Sequence, residues 1–367
     1  MNVEYTVLGR SFGMYQKEYE EAALRVLHSG WYILGPEVKK FEEKFAEKMG
    51  AKHCIAVNSG TDALILALRA LGIGKGDDVL VPAGSYIASV IGVTENGAQP
   101  EYVDSDEFML MDPEKIEERI TPRTRAILPV HMYGQACDME KISEIARKYD
   151  LFLIEDCAQS HGAKVGNKYT GTFGKIGCFS FYPTKPLGAM GDGGALLTDD
   201  DKLAEQLRMM RNYGSKVKYH NEIPGINSRM DEMQAAILQV GLKHMEENTK
   251  RRLEIADRYC NQICNPEVKL PKARFREGHV FHLFPVCVEN RSEFRDYLLK
   301  NGIKTQIHYP VPPYLAECYP LQNYRKEDFP KASYIADHEV SLPIYSGMPM
   351  QEVNHVIKTI NSYRSGK

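Results

Sequence analysis

The region that decides the fold extends from residue 53 to residue 156, where short apolar segments alternate with helical patterns. The apolar segments are HCIAV (53–57), DVLVP (78–82), PEYVD (100–104), RAILPV (125–130) and LFLIED (151–156). Between them lie amphipathic stretches such as MEKISEIARKY (139–149), in which apolar residues recur at helical spacing. Strands that alternate with helices form parallel sheets covered by helices on both faces. The sequence therefore predicts an α/β protein.

The pattern continues beyond this region. Two further strands are predicted at CFSFY (178–182) and GALLT (194–198), which brings the expected sheet to seven strands. A helix is predicted to start at Pro113, directly after the capping residue Asp112. The charged stretch over residues 229–262 is predicted to be one long helix that connects two domains.

The C-terminal third has a different organisation. After Pro271, a strand is predicted at HLFPVCV (282–288), followed by a helix over residues 291–302 and a last helix from about Gln351. The segment before residue 50 is mostly helical in pattern. We therefore predict a large domain over residues 1–245, with a helical N-terminal segment, and a small C-terminal α/β domain over residues 246–367.

Composition excludes several classes of protein. The 367 residues include 46 Lys and Arg against 49 Asp and Glu, a net charge of −3, and 43% are hydrophobic. A mainly disordered chain needs low hydrophobicity and high net charge, and a nucleic-acid binder that acts through bulk positive charge needs a basic excess. The sequence has neither an apolar run that could span a membrane nor a secretory signal, and its eight cysteines form no CxxC pair. We expect a cytoplasmic protein that binds neither nucleic acid nor membranes.

Three candidate sites follow predicted strands, where ligands of open parallel sheets collect. The first is Asn58-Ser59-Gly60-Thr61, which opens a helix after the first strand. Free backbone N–H groups and the helix dipole at such a position attract a phosphate. The alternative is an ordinary helix cap formed by Ser59 or Thr61.

The second site is Asp156 at the end of the most apolar strand, with Gln159 and His161 just beyond it. A carboxylate at such a position is costly unless it has a cation or hydrogen-bond donors as partners. It is either a structural ion pair or cap, or a fixed anion that keeps a heterocyclic nitrogen protonated.

The third site is Lys185, which lies between Pro186 and the strand end SFYPT, ahead of a glycine-rich turn. A lysine in a pocket can lose its proton and act as a nucleophile, whereas a loop lysine merely carries charge. A phosphate cradle, an amine and an anion for a ring nitrogen are together what pyridoxal phosphate (PLP) requires of a protein. The combination predicts a PLP enzyme with no metal.

The order of motifs along the chain carries a family resemblance. The motifs are NSGTDAL (58–64), SYIAS (85–89), HMYGQACDM (131–139), EDCAQSHGA (155–163), SFYPTK (180–185), GDGG (191–194) and GINSRMDEMQAAIL (225–238). This set resembles the DegT/DnrJ/StrS family of PLP-dependent aminotransferases, which act on nucleotide-linked keto-sugars. The resemblance implies PLP fold type I, with a mostly parallel sheet in the large domain.

The resemblance also implies roles for individual residues. Lys185 would bind the cofactor aldehyde and move protons, and Asp156 would pair with the ring nitrogen. Gln159 would approach the ring hydroxyl, and Tyr86 would stack on the ring. The phosphate would be held by Gly60, Thr61 and Ser180, and by Asn227 of the neighbouring subunit, so that a homodimer would share its active sites.

The expected substrates follow from the same resemblance. L-glutamate is the usual amino donor. Arg211 and Arg229 are candidates for binding its carboxylate, and structural ion pairs are the alternative role for arginines in such helices. The chain combines Tyr182 with the motifs GDGG, SYIAS and IHYPVPPY (307–314). This combination resembles that of enzymes that aminate carbon 3 of dTDP-3-keto-6-deoxyhexoses. Such enzymes serve deoxysugar biosynthesis, as in O-antigen or S-layer glycans. The substrate candidates are Tyr182, His308 and Tyr309, for which packing is the alternative role.

Alternative functions differ in the residues that each would require. A 4-keto-sugar aminotransferase is the nearest alternative. A 3-dehydrase of the same fold would have His in place of Lys185, and a non-catalytic sugar-nucleotide sensor would not need the full set of roles. A metal hydrolase built from His131, Asp156 and His161 lacks a recognised ligand spacing.

Overall fold

A central sheet of seven strands organises the molecule. The structure is a computed structural model that describes residues 1–319 and 323–366. Its first nine strands are β1 (His53–Val57), β2 (Asp78–Pro82), β3 (Gln99–Val103), β4 (Thr124–Ile127), β5 (Phe152–Asp156), β6 (Lys164–Val165), β7 (Lys168–Tyr169), β8 (Ile176–Ser180) and β9 (Gly194–Thr198). The sheet has the order β1-β9-β8-β5-β4-β2-β3, and the short strands β6 and β7 pair with each other.

The pairing is parallel except around β9. Strand β2 pairs in parallel with β3 and β4, and β5 pairs in parallel with β4 and β8. Strand β9 runs antiparallel to both β1 and β8. The predicted mostly parallel sheet is therefore confirmed. All residues of β2 and β9 are buried, which explains why these strands are mostly apolar along their length rather than alternating.

Helices cover the sheet and build the N-terminal segment. They are α1 (Leu8–Gly13), α2 (Gln16–Ser29), α3 (Pro36–Met49), α4 (Gly60–Ala70), α5 (Ile87–Thr94), α6 (Met139–Lys148), α7 (Asp201–Met210), α8 (Glu232–Lys243) and α9 (Met245–Gln262). One apolar cluster packs α4, α5 and α6 against the sheet, and a second packs α3 and α8 against β1, β8 and β9. None of the helices in residues 1–319 and 323–366 is long and apolar enough to cross a bilayer.

The C-terminal part has its own apolar cluster. Before this part, strands β10 (Ser215–Val217) and β11 (His220–Asn221) form a surface hairpin. Within the C-terminal part, β12 (Phe284–Cys287) pairs with β13 (Glu339–Leu342). The helices here are α10 (Arg291–Lys300), α11 (Pro330–His338) and α12 (Met350–Ser362). Their cluster includes residues of α9 and Val3 from the N-terminus. The domain boundary at residue 245 stays a prediction, supported by the change of cluster at α9.

Three local predictions were wrong. The long helix over 229–262 is two helices that meet at His244, whose ring stacks on Tyr15 at 3.7 Å and pairs with Glu18 at 2.9 Å. Instead of a helix from Pro113, two single 3-10 turns form, because only Pro113 and Ile116 are buried over residues 113–119. The strand predicted at 178–182 ends at Ser180, which frees Tyr182 from the sheet.

Candidate active site

The sequence-predicted residues converge on one cavity of about 630 Å³. Its lining includes segments that follow β1, β2, β5 and β8, so it lies at the carboxyl ends of the strands, as the topology rule predicts. All of the predicted catalytic, cofactor and sugar-nucleotide residues except Asn227 line it. Asn227 is exposed and outside this cavity.

The turn from β1 into α4 forms one end of the cavity. Ser59 caps α4, since its Oγ accepts a hydrogen bond of 3.1 Å from Asp62 N, and the capping alternative is therefore correct for this residue. A Cβ on Gly60 would lie 2.5 Å from Ser180 Cβ, which is closer than side chains tolerate. The backbone of the helix start thus approaches the end of β8, and Gly60, Thr61 and Ser180 face one space suited to a phosphate.

Asp156 ends β5 as a buried carboxylate that is 5% exposed. Its Oδ2 accepts a hydrogen bond of 2.9 Å from Ser89 Oγ, and its Oδ1 accepts one of 3.1 Å from Ala158 N. Burial raises the pKa of Asp156 above its ordinary value, and these two hydrogen bonds and the charge of Lys185 limit the rise by stabilising the charged form. The structure therefore holds an oriented anion inside the cavity.

Lys185 lies in the tight turn that follows β8. Its backbone N–H donates to Tyr182 O at 2.8 Å, and a Cβ on Gly188 would lie 2.5 Å from Pro183 O, so the turn needs glycine there. Burial lowers the pKa of Lys185 to about 8, against the opposing charge of Asp156. A lysine with this pKa is neutral for a far larger fraction of the time near neutral pH than an exposed lysine.

Gln159, Tyr309 and Tyr86 are connected by successive contacts in the cavity. The Gln159 Oε1 accepts a hydrogen bond of 2.6 Å from Tyr133 N, and its Nε2 donates to the Tyr309 hydroxyl at 3.3 Å. The Tyr309 ring lies 4.9 Å from that of Tyr86, which is 51% exposed. Gln159 is therefore fixed by two partners, whereas Tyr86 retains an open face for stacking.

His308 is held in a neutral state beside them. Its backbone N–H donates to Glu339 Oε2 at 2.7 Å, and its Nδ1 pairs with Ser341 Oγ at 2.8 Å. Burial and, to a smaller extent, the charge of Lys185 lower its pKa to about 4. Tyr182, by contrast, is 53% exposed and lies at the rim.

Neither arginine suggested for the donor carboxylate lines this cavity. Arg211 pairs with Glu42 and donates to Ala56 O at 2.7 Å. Arg229 donates to Asn212 Oδ1 at 3.0 Å and lies over the Tyr213 ring. Both have partners elsewhere in the chain, which favours the structural alternative for these two side chains within one protomer.

The cavity also includes residues that the sequence did not indicate, among them Tyr5, Ser89, Arg252 and His282. Ser89 had a usable signal, because it lies one helical turn after Tyr86 in SYIAS. The others lie far from the motifs along the chain, in segments whose local pattern indicates only helix or strand.

A separate buried group combines His131, Glu155 and Cys157. The Glu155 carboxylate accepts hydrogen bonds of 2.7 to 2.8 Å from the backbone N–H groups of Gly171, Phe173 and Gly174. It also pairs with His131 Nε2 at 3.1 Å. These contacts tie a loop to β5, and neither Asp156 nor His161 belongs to the group.

Comparisons with known proteins agree with this geometry. The DegT/DnrJ/EryC1/StrS aminotransferase family matches residues 14–361. The dTDP-3-amino-3,6-dideoxy-alpha-D-galactopyranose transaminase of Aneurinibacillus thermoaerophilus is 51% identical over 95% of this chain and 96% of its own.

Two solved structures extend the likeness to three dimensions. The crystal structure of Streptomyces venezuelae DesV in complex with a ketimine intermediate is 43% identical, with a TM-score of 0.96 over 98% of each chain. That of Bacillus subtilis NtdA with bound cofactor PMP is 33% identical, with a TM-score of 0.91 over 98% of this chain and 84% of its own. The chain belongs to the DegT/DnrJ/EryC1/StrS aminotransferase family, and its cofactor is pyridoxal phosphate.

Proposed function

We propose that this aminotransferase moves an amino group from L-glutamate to carbon 3 of a dTDP-linked 3-keto-6-deoxyhexose, giving a dTDP-3-amino-3,6-dideoxyhexose. The observation that carries the proposal is that Lys185 and Asp156 face one cavity in a chain 51% identical to a dTDP-3-amino-3,6-dideoxygalactose transaminase. Tyr182, His308 and Tyr309, which line the same cavity, are the proposed contacts of the sugar nucleotide.

The residues present fit the cofactor. The phosphate would be held by Gly60, Thr61 and Ser180. Because Gly60 has no side chain, it lies close to Ser180 and leaves the backbone N–H groups of the helix start accessible. Asp156 would hold the ring nitrogen, and Lys185 the aldehyde carbon. Bound PLP supplies an electron sink for the charge left when a neighbouring carbon loses its proton.

Lys185 supplies the proton transfer. Its lowered pKa, about 8, populates the neutral amine whose Nζ can accept the proton from the α-carbon of the donor. The same Nζ can return a proton to carbon 3 of the sugar when the reaction runs toward the amino product. Asp156 assists by remaining an oriented anion, because Ser89 and Ala158 donate hydrogen bonds to it.

The test is a product assay over a panel of 3-keto and 4-keto nucleotide sugars with L-glutamate. We expect mass spectrometry to show amination of the 3-keto compounds, with 2-oxoglutarate released, and none with Lys185→Ala. Amination restricted to 4-keto compounds would favour the alternative specificity. A failure to aminate any of them would contradict the proposed function as a whole.

The proposed enzyme is a homodimer that shares its active sites. Asn227 lies outside the cavity of its own chain, which leaves it free to reach that of a second copy. Helix α2 and the segment after it expose large apolar side chains, with Leu27, Trp31 and Tyr32 each more than half exposed. Apolar surface of this kind is typical of a protein–protein interface.

A further inference from the structure

One part of the cavity lining includes buried polar groups without partners. Arg252 on α9 is 7% exposed, and its Nε makes no hydrogen bond within the described residues. Its Nη1 donates one long bond of 3.4 Å to Ile344 O. His282 Nδ1 is likewise buried without a hydrogen-bond partner in residues 1–319 and 323–366, and the buried Tyr5 hydroxyl lies next to Ser341. Arg252, His282 and Tyr5 all line the cavity.

The absence of a counterion distinguishes Arg252 from two other arginines with little exposure in this chain, Arg211 and Arg274. Arg274 pairs with Asp106 and with Asp138, and Arg211 pairs with Glu42. Across the described part of the chain, no carboxylate lies within 4.0 Å of Arg252. A buried cation without an anion costs free energy, and burial accordingly lowers the pKa of Arg252 to about 10. The chain thus keeps an unneutralised positive charge facing its active-site cavity.

We propose that Arg252, assisted by the Tyr5 hydroxyl and His282, binds the α-carboxylate of the amino donor. Guanidinium groups bind carboxylates through paired, charge-assisted hydrogen bonds, and a neutral histidine or phenol can add a third. The inference rests on the proposed function, in which the donor is an amino acid.

The location favours the donor over the other anion in the reaction, the diphosphate of the sugar nucleotide. The α-carboxylate is one bond away from the carbon whose proton Lys185 removes, so it has to lie deep in the cavity near that lysine. Lys185, Arg252 and His282 line the same cavity, and the charges of both cations lower the pKa of His282. A diphosphate is separated from carbon 3 by the sugar ring, which places it toward the exposed rim at Tyr182.

The test compares the two half-reactions in Arg252→Met and Arg252→Lys. Cofactor absorbance reports conversion by L-glutamate and, separately, by the amino-sugar nucleotide. We expect Arg252→Met to raise the glutamate concentration for half-maximal rate about 10- to 100-fold, and Arg252→Lys to recover part of this loss. The half-reaction with the amino sugar should be unchanged. The matched control is Arg251→Met, since Arg251 is the adjacent residue and pairs on the surface with Glu247.

Two measurements separate a binding role from a structural one. Calorimetry should show weaker binding of glutarate, a dicarboxylate without an amino group, to Arg252→Met holoenzyme, with dTDP binding unchanged. The Tm of this variant should not fall, because the substitution removes an unneutralised buried charge. Loss of dTDP binding with normal glutarate binding would overturn the inference, as would equal loss in both half-reactions with a lowered Tm. If the wild type binds glutarate but glutamate does not convert its cofactor, the proposed donor is wrong, whereas the proposal of a carboxylate site at Arg252 is retained.

Discussion

Ser89 Oγ donates a hydrogen bond of 2.9 Å to Asp156 Oδ2 inside the cavity. Ser89 lies one turn into α5, whose N-cap residue is Tyr86. One short helix therefore supplies both the exposed ring proposed to stack on the cofactor and the donor that orients the carboxylate proposed to pair with it. A hydrogen bond donated to a carboxylate stabilises its charged form, which is the form that a protonated ring nitrogen requires.

Removing this hydrogen bond should weaken cofactor binding. In Ser89→Ala, the pKa of Asp156 rises above its already raised value, because one of the groups that lower it is lost. We expect PLP affinity to fall about tenfold, as is typical for a lost hydrogen bond to a charged group. PLP affinity is also lost at low pH when Asp156 becomes protonated, and the midpoint of this loss should move to higher pH by about one unit. Titrating the apoprotein with PLP across pH checks both. Ser85→Ala is the control, since Ser85 is buried nearby but bonds only to backbone carbonyls; an equal effect of both variants would count against the role of Ser89.

Lys185 should be required for chemistry but not for folding. We expect Lys185→Ala to keep its circular dichroism spectrum while transamination falls by at least about a hundredfold, the scale of lost acid–base catalysis. Borohydride should no longer attach the cofactor covalently, as peptide mass spectrometry can show. Lys175→Ala is the matched control, because Lys175 forms a surface pair with Asp200 at 2.7 Å. Trapping of the cofactor at another lysine in the wild type would refute the assignment.

The lowered pKa of Lys185 predicts how fast the apoprotein captures PLP at different pH. The neutral amine attacks the aldehyde, so the rate should rise with pH and level off above about 8, the pKa to which burial lowers this lysine. Stopped-flow absorbance of the imine band across pH measures the midpoint. A midpoint near that of an ordinary exposed lysine, above pH 10, would show that the amine is not desolvated in the folded protein.

Shared sites predict complementation between two defective variants. Asn227→Ala should weaken PLP retention, and Lys185→Ala should be inactive. Refolding or co-expressing the two together should restore activity, because one site of the mixed dimer would combine Lys185 of one chain with Asn227 of the other. Tagged variants purified as mixed dimers, with each variant alone as control, provide the measurement. Activity no higher than that of Asn227→Ala alone would contradict a shared site.

Much of the fold could be predicted because its determinants are local. Apolar runs such as LFLIED and the helical spacing of MEKISEIARKY are determined by neighbours in the chain. Residues that follow parallel strands meet at one edge of the sheet, and so Asp156, Lys185 and Gly60 could be placed together before any coordinates. The break at His244 could not be predicted, since its contacts with Tyr15 and Glu18 join it to a distant helix.

The same distinction applies to the active site. The sequence alone determined the α/β architecture and the PLP chemistry, and it predicted Lys185 and Asp156 as the lysine and its anionic counterpart, because those residues lie at strand ends within recognisable motifs. Only the tertiary structure showed that Arg211 is neutralised by Glu42 and that Arg252 is not. An arginine in a charge-rich helix has the same local pattern whether it faces solvent or a cavity. Its burial and its lack of a counterion depend on chain segments packed against it from far along the sequence.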